Sequence, residues 1–428
     1  MQAQSRLVSL YRLAMRGFGP FAGLLLRARL RRGKEDPERI GERMGQAGVP
    51  RPSGPLVWLH GASIGEAVSL LPLAGLLRGR GIAVLFTTGT ITSANLLAAR
   101  LPPGAIHQYI PLDVPRFWNR FLTHWRPGLL VVAESEIWPN MLAGARAAKV
   151  PVTIVNGRMS ERSMARWLKA PNAAAAILGQ IDLCLTQTEG DAQRFHRLGA
   201  PHVQVAGNLK YDSAAPPVDN DEYARLTARI GSRPVWLAAS THAGEEDIAI
   251  RVHDHLLQRW PDLLTIILPR HPERGGEIAA LAGRYGYAAP LRSQGAPFPD
   301  GGLYIADTVG ETGLFYRLSG IAFVGRSLAG GGGQNPIEPA KLGTAILHGP
   351  DVGNFTEVYA ELHAGGGAVE VADADALAAT LEDLLTDGAK VRAYSRAALQ
   401  AVERIGGATG RILLALEPWL MRLRMEQV

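Results

Sequence analysis

A single cysteine, Cys184, stands in a chain of 428 residues. That excludes an intrachain disulfide and a cysteine-rich zinc site, and it suits a reducing compartment. Long apolar runs are missing too. The longest uncharged stretch of the N-terminal region, Gly17 to Leu26, is far shorter than the ~20 residues a transmembrane helix needs. No small-residue cleavage site follows it, so a cleaved signal peptide is not expected. The excess of 45 basic over 39 acidic residues is modest. No dense basic stripe interleaved with stacking aromatics accompanies it, which excludes a nucleic-acid partner and leaves an anionic surface or substrate. Neither a Walker A sequence nor HExxH occurs, and no GxGxxG follows the first predicted strand. Heptads, low-complexity tracts and short tandem repeats are absent as well.

What is present is a composition of 47% hydrophobic and 20% charged residues, enough to fill two or three cores. From residue 56 onward, short apolar runs alternate with helical patterns. Segments 56–61, 82–89, 129–135, 150–157 and 181–187 predict five buried strands. A second series is predicted at 235–241, 264–270, 303–308, 321–327 and 345–350. Continuous apolar strands alternating with helices indicate parallel, doubly wound α/β sheets. The Pro-, Ala- and Asp-rich stretch from Ser213 to Asp221 is suited to a linker between the two series. The expected organisation is therefore an N-terminal segment over 1–34, a domain over 35–212, a linker over 213–221, a domain over 222–408 and a closing helical segment over 409–428. Two Rossmann-like halves are expected to face each other across a cleft, with ligands beyond the carboxyl ends of the strands.

The N-terminal segment combines apolar residues from Leu7 to Leu26 with Arg12 and Arg16. Gly17, Gly19 and Pro20 weaken any single helix there, and Arg27, Arg29, Arg31, Arg32 and Lys34 follow. Such a segment suits the interface of an anionic leaflet, with the positive flank on the cytoplasmic side. The bland alternative is a helix packed on the first domain with a solvated basic face.

The densest chemical signal is Gly325 to Pro350. There the run Gly330 to Gly333 follows a predicted strand and precedes Asn335, Pro336 and Glu338. Consecutive glycines permit positive φ and close approach, and Pro336 suits the first helical position. Strand, glycine loop and helix start together predict an anion cradle. Glu338 repels phosphate but suits a ribose hydroxyl, so a nucleotide supplying both groups fits best. Further candidates follow other strand ends. Glu66 in HGASIGEA is either a general base or a first-turn helix residue that complements the dipole. Glu134 and Glu136 in AESEIWPN share a face if the strand continues. Lys210 in GNLKYD can neutralise an anion, and Arg270, after Pro269 in PRHPER, can bind phosphate bidentately. The turn Val309, Gly310, Glu311, Thr312 presents amides at the same edge. The pairs in DAD (373–375) and DND (219–221) look like a helix cap and linker residues, so no catalytic metal is expected.

Taken in order, HGASIGEA, FTTGTITSA, AESEIWPN, NGRMSERS, LTQTEGDAQRFHRLGA, GNLKYD, STHAGEE, PRHPER, VGET and GGGGQNPIEPA resemble the 3-deoxy-D-manno-octulosonic acid (Kdo) transferases of lipopolysaccharide synthesis. The resemblance runs almost the length of the chain. It implies a glycosyltransferase B fold, a place on the cytoplasmic face of an inner membrane, CMP-Kdo as donor and a lipid A precursor as acceptor, with no cofactor. By motif it implies Glu66 as general base, and Glu134 and Lys210 as transition-state stabilisers. It implies CMP contacts from Pro269 and Arg270, from Val309, Gly310 and Glu311, and from Asn335, Pro336, Ile337 and Glu338. Gln334 stands where many relatives carry His. Another nucleotide-sugar glycosyltransferase, a 2-epimerase of the same fold, or a non-enzymatic nucleotide-sugar-binding regulator are the competing readings.

Overall fold

The computed structural model describes residues 5–212 and 214–425. The outermost residues expected in the two terminal segments (1–4 and 426–428) and Ser213 of the expected linker lie outside the described residues. The chain divides into two compact units, one formed by residues up to 213 together with those from Gly406 onward, the other by Ala214–Ile405.

The first unit is built on a seven-stranded sheet: β1 Leu56–His60, β2 Ala83–Thr88, β3 Ile106–Tyr109, β4 Leu129–Ala133, β5 Val152–Gly157, β6 Leu183–Thr186 and β7 Val203–Val205. All pairings are parallel, in the order β3-β2-β1-β4-β5-β6-β7. Helices cover both faces, so β1, β2, β4, β5 and β6 are buried along their whole length. On one face the helix Pro115–Trp125 sets Trp118 and Phe121 against Trp58 at ring-centroid distances of 5.8 and 4.7 Å. The three buried indoles on this face each find an acceptor: Trp58 donates to Thr87 Oγ1, Trp118 to Asp113 Oδ1 and Trp125 to Gln108 Oε1. A buried indole is thereby spared the cost of an unpaired donor.

The N-terminal residues form two helices, Arg6–Phe18 and Ala22–Arg31, broken by a single turn at Gly19–Phe21 where Pro20 cannot donate a helical hydrogen bond. Tyr11 donates to the buried Asp113 at 2.8 Å, and Ala22 and Leu26 are buried. Leu7, Leu10, Leu13, Phe21, Leu24 and Leu25 stay exposed. Among the described residues no helix is long and apolar enough to cross a membrane. The closing helix, Ala408–Met425, packs on the first unit through Ile412, Leu416 and Leu420. Its start is held by Asp212, whose carboxylate accepts from the backbone amides of Gly407, at 2.6 Å, and Thr409.

The second unit carries a six-stranded parallel sheet: β8 Val235–Thr241, β9 Leu264–Pro269, β10 Gly302–Ile305, β11 Ile321–Val324, β12 Ala345–His348 and β13 Ala368–Glu370, in the order β10-β9-β8-β11-β12-β13. The helices Glu245–Leu257 and Ala374–Thr386 close one face of this sheet. Its helix Asn220–Ile230 begins inside the stretch expected as linker, because Asp219 caps it by accepting from the amides of Asp221 and Glu222 at 3.0 Å. Asp373 likewise caps Ala374–Thr386, as its motif suggested.

Candidate functional site

In each sheet the strand order reverses at one place, and ligands of doubly wound sheets bind beyond the carboxyl ends of the strands there. In the first unit the reversal lies between the paired strands β1 and β4. In the second it lies between β8 and β11.

Glu66 follows β1 in the first turn of the helix Ile64–Gly79, half-buried. Ser63 caps this helix by accepting from the Glu66 amide at 3.3 Å. In return the Glu66 carboxylate accepts from the Ala62 amide at 2.8 Å and from Ser63 Oγ at 2.7 Å. This is a variant of the capping box in which the returning carboxylate takes the amide one residue before the cap. The residue therefore has a structural task besides any chemical one, and its rotamer is fixed from two sides. Gly61 is required beside it, since a Cβ there would lie 3.0 Å from the Ala67 nitrogen and 3.1 Å from the Glu66 Cβ.

After β4 the chain does not continue as a strand. Glu134 takes φ 54°, which turns the backbone at once and removes the alternation that would set Glu134 and Glu136 on one face. Glu134 accepts from Lys210 Nζ at 3.1 Å. Lys210 sits on the short turn Leu209–Asp212, which is pinned by Asn156 Oδ1 accepting from the Leu209 amide at 2.9 Å and by Asp212 on the closing helix. Glu136 receives the indole N–H of Trp138 at 2.9 Å and lies 4.0 Å from His60 Nε2. His60 is fully buried and its pKa is lowered to about 4 by that burial, so it is neutral at pH 7. Its Nδ1–H is engaged by Thr87, which leaves Nε2 without a hydrogen-bond partner. Three carboxylates thus share this end of the first sheet. Burial pushes the Glu136 carboxyl above its ordinary value near 4.5, with the charges of Glu66 and Glu134 acting in the same direction and the Trp138 bond opposing.

That shift has a testable sign. A carboxyl whose folded pKa exceeds its unfolded one contributes stability below the unfolded pKa, and loses it as pH rises through the folded value. Glu136→Gln keeps an acceptor for Trp138 and carries no charge. The variant is expected to unfold at higher urea than the parent at pH 7, with the gap closing at pH 4. A gap that widens on acidification would contradict this account of the cluster.

In the second unit Arg270 follows the buried Pro269 and is exposed at the end of β9, its amide donating to Thr241 O at 3.0 Å. Asn335 holds the turn after the glycine loop: its Oδ1 accepts from the Ile337 amide at 3.0 Å and its Nδ2 donates to Glu338 Oε1 at 3.1 Å. Burial raises the pKa of Glu338, while Asn335 and the positive charge of Arg270 oppose the rise. Asn335, Glu338 and Arg270 are therefore electrostatic neighbours. The helix that follows, Ile337–Lys341, is only five residues long, and Pro336 caps it instead of opening it.

Glycines 330 to 333 all have positive φ, between 75° and 116°, as their run foretold. The anion they hold is not the expected one. The amides of Gly331 and Gly332 donate to Asp351 Oδ2 at 2.7 and 3.0 Å, and those bonds hold the Asp351 carboxyl below its ordinary value. The anion cradle read from the glycine run is thus filled by this chain's own carboxylate, and Asn354 Nδ2 ties the loop further through Gly331 O and Gly333 O.

Glu311 is committed as well. It pairs with Arg292 at 2.6 Å and accepts from Thr308 Oγ1, while Arg292 also reaches Glu222 at 2.7 Å. Arg292 draws the Glu311 carboxyl down. What this turn leaves for a ligand is its backbone and Val309, which is 88% exposed. One residue of the site escaped the sequence reading. Glu245, buried at the start of the helix after β8, accepts from four backbone amides: His242 at 3.0 Å, Arg326 at 2.7 Å, Ser327 at 2.9 Å and Leu328 at 3.1 Å. It fixes the base of the glycine loop. Its one signal was the paired carboxylate of STHAGEE just beyond a strand. His242 Nε2 in turn lies 3.1 Å from Gln334 Nε2.

Comparison with known proteins bears on the family and the fold. A family model described as 3-deoxy-D-manno-octulosonic-acid transferase (kdotransferase) matches residues 38–213. A 3-deoxy-D-manno-octulosonic acid transferase of Bordetella pertussis is 36% identical over 425 residues, covering 96% of this chain and 99% of that protein. The protein of the same name from Haemophilus influenzae is 34% identical over 399 residues, covering 90% and 92%. Among solved structures, a UDP-GlcNAc 2-epimerase from Neisseria meningitidis aligns with TM-score 0.57 at 14% identity, over 85% of this chain and 100% of that one. MurG of Acinetobacter baumannii aligns with TM-score 0.51 at 12% identity, over 85% and 99%. Likeness at that identity speaks for the glycosyltransferase B fold alone.

Proposed function

This chain belongs to the 3-deoxy-D-manno-octulosonic-acid transferase family, and on that premise we propose that it moves Kdo from CMP-Kdo to a sugar hydroxyl of a lipid A precursor with inversion. The observation that carries the reading is that the residues following β1 and β4, where the first sheet reverses its order, include Glu66 and Glu134, the latter paired with Lys210.

Glu66 takes the proton of the acceptor hydroxyl as that oxygen attacks the anomeric carbon. The bond from that carbon to the CMP phosphate breaks, and the electron pair leaves with CMP. One base and one displacement give inversion. Positive charge developing on the sugar favours the Glu134 carboxylate, which Lys210 holds, and negative charge growing on the leaving phosphate favours Arg270. A cationic side chain supplies the charge stabilisation that a divalent metal gives in other phosphate-leaving reactions, so the proposed reaction calls for none. In the donor half, Asn335 to Glu338 and the backbone of Val309 to Glu311 bind the nucleotide, and Glu338 takes a ribose hydroxyl.

The two N-terminal helices support a place on an anionic membrane surface. Leu7, Leu10 and Leu13 form an exposed apolar row, and Arg27, Arg31, Arg32 and Lys34 are exposed beyond it, whereas Arg29 is paired with Glu35 at 2.5 Å. Replacing Leu10 and Leu13 together with Glu is expected to weaken sedimentation with anionic vesicles by roughly tenfold or more, since each Leu brings ~1.5–3 kcal/mol when fully buried. Unchanged partition would remove these helices from the membrane contact. The central test is incubation with CMP-Kdo and a tetraacylated lipid A precursor, followed by product mass. A mass increase of one or more Kdo units is expected, and none with intact donor refutes the proposal.

A further inference from the structure

A cluster in the second unit, outside the donor residues, takes no part in this chemistry. β12 ends at His348 and β13 at Glu370, and these two residues are direct register partners across the parallel pair. The helix Thr356–Ala364 carries His363 over the same strand ends. His348 Nε2 stands 3.0 Å from His363 Nε2, and one ligand atom from each of His348, His363 and Glu370 lies within 4.8 Å of the others.

The protonation pattern follows from hydrogen bonding. His348 Nδ1 lies 2.6 Å from the carbonyl oxygen of Gly349, which can only accept, so Nδ1 carries the proton. Nε2 therefore presents a lone pair towards His363 and Glu370. A ring whose outer N–H is anchored on a carbonyl and whose inner nitrogen is aimed at further donors has the arrangement of a metal-ligating histidine. His363 and Glu370 are exposed, which gives an ion a way in and room for water as a further ligand.

We infer that His348, His363 and Glu370 form a zinc site at the carboxyl ends of β12 and β13. Two Zn–N bonds of ~2.0–2.1 Å span roughly 3.3 Å at a tetrahedral angle, close to the nitrogen separation present. The third ligand, Glu370, is exposed and its carboxylate lies within 4.8 Å of both imidazole nitrogens. Two imidazoles and one carboxylate favour zinc and its transition-metal neighbours over magnesium or calcium, which take oxygen donors. The site lies next to the glycine loop in the chain. Gly349 donates to Ser327 Oγ at 2.9 Å, and Asp351, three residues beyond His348, holds the amides of Gly331 and Gly332. Zinc would thus fasten β12, β13 and the segment that clamps the loop.

The test uses the full-length protein, free of any histidine tag and treated with chelator, titrated with ZnCl2 in a calorimeter and by thermal melting. One equivalent is expected to bind and to raise the Tm, with MgCl2 giving neither effect. His363→Ala and Glu370→Ala, both at exposed positions, are each expected to lose zinc affinity by about tenfold or more; Glu370→Ala should keep the parent's zinc-free Tm, while His363→Ala also gives up the ring-to-ring hydrogen bond and should start from a lower one. No zinc binding by the parent would mean the two rings share a hydrogen bond only and would overturn the inference. Unchanged affinity in both variants would overturn it equally. The readout is metal binding, so it stands apart from the transfer reaction.

Discussion

Glu66→Gln is expected to lower the rate of Kdo transfer by about 10²–10⁴-fold, the usual contribution of a positioned general base. CMP-Kdo binding and thermal stability should stay near those of the parent. The amide oxygen can still accept from the Ala62 amide, and the NH2 group can donate to Ser63 Oγ, so the capping contacts are preserved, while the side chain cannot accept the hydroxyl proton. Glu66→Ala provides the contrast. It should lose the same activity and also about 1 kcal/mol of stability, as capping substitutions do. The two variants together separate the side chain's structural task from its chemical one. Wild-type-like turnover in Glu66→Gln would remove Glu66 as the base. A parent protein that binds CMP-Kdo but transfers nothing would point to the regulator reading instead.

The doubly wound architecture was legible because central parallel strands are buried on both faces and read as unbroken apolar runs. LVWLH of β1 and LLVVA of β4 have no other plausible place. The three strands that sequence reading passed over are short: β3 (IHQY), β7 (VQV) and β13 (AVE). Each lies at a sheet edge, where one side has no strand partner and polar residues are tolerated, so no apolar run announces them.

The site was legible one residue at a time but not as a set of bonds. Strand ends supplied Glu66, Glu134 and Arg270, and the glycine run announced its own positive φ. What the glycines hold was hidden, because Asp351 reaches them from 19 and 20 residues away across a strand. The shared face expected for Glu134 and Glu136 depended on a strand continuing, and a single left-handed residue ended it. These are long-range or single-torsion facts to which periodicity is blind.

Glu245 is the extreme case, since three of its four amide partners lie 81 to 83 residues away. Removing it in Glu245→Ala leaves four amides without that acceptor, one in a buried bond and three in part-buried ones. The expected cost is about 3–5 kcal/mol, the range for breaking a buried charge-assisted network. Glu245→Gln should fall between, because one of its two oxygens becomes an NH2 group facing backbone donors. Three of these amides, of Arg326, Ser327 and Leu328, belong to the chain leading from β11 into Gly330–Gly333, so the loss reaches function. CMP affinity should drop at least about tenfold in Glu245→Ala, since a loop that must be ordered on binding charges its entropy to the ligand. Gly325 leaves room for this carboxylate: a Cβ there would sit 2.8 Å from Glu245 Oε2 and 2.8 Å from Ser240 O. Urea unfolding and CMP titration measure the two effects separately. A stability loss under about 1 kcal/mol would mean that water replaces the carboxylate at all four amides, and Glu245 would then be an ordinary first-turn residue.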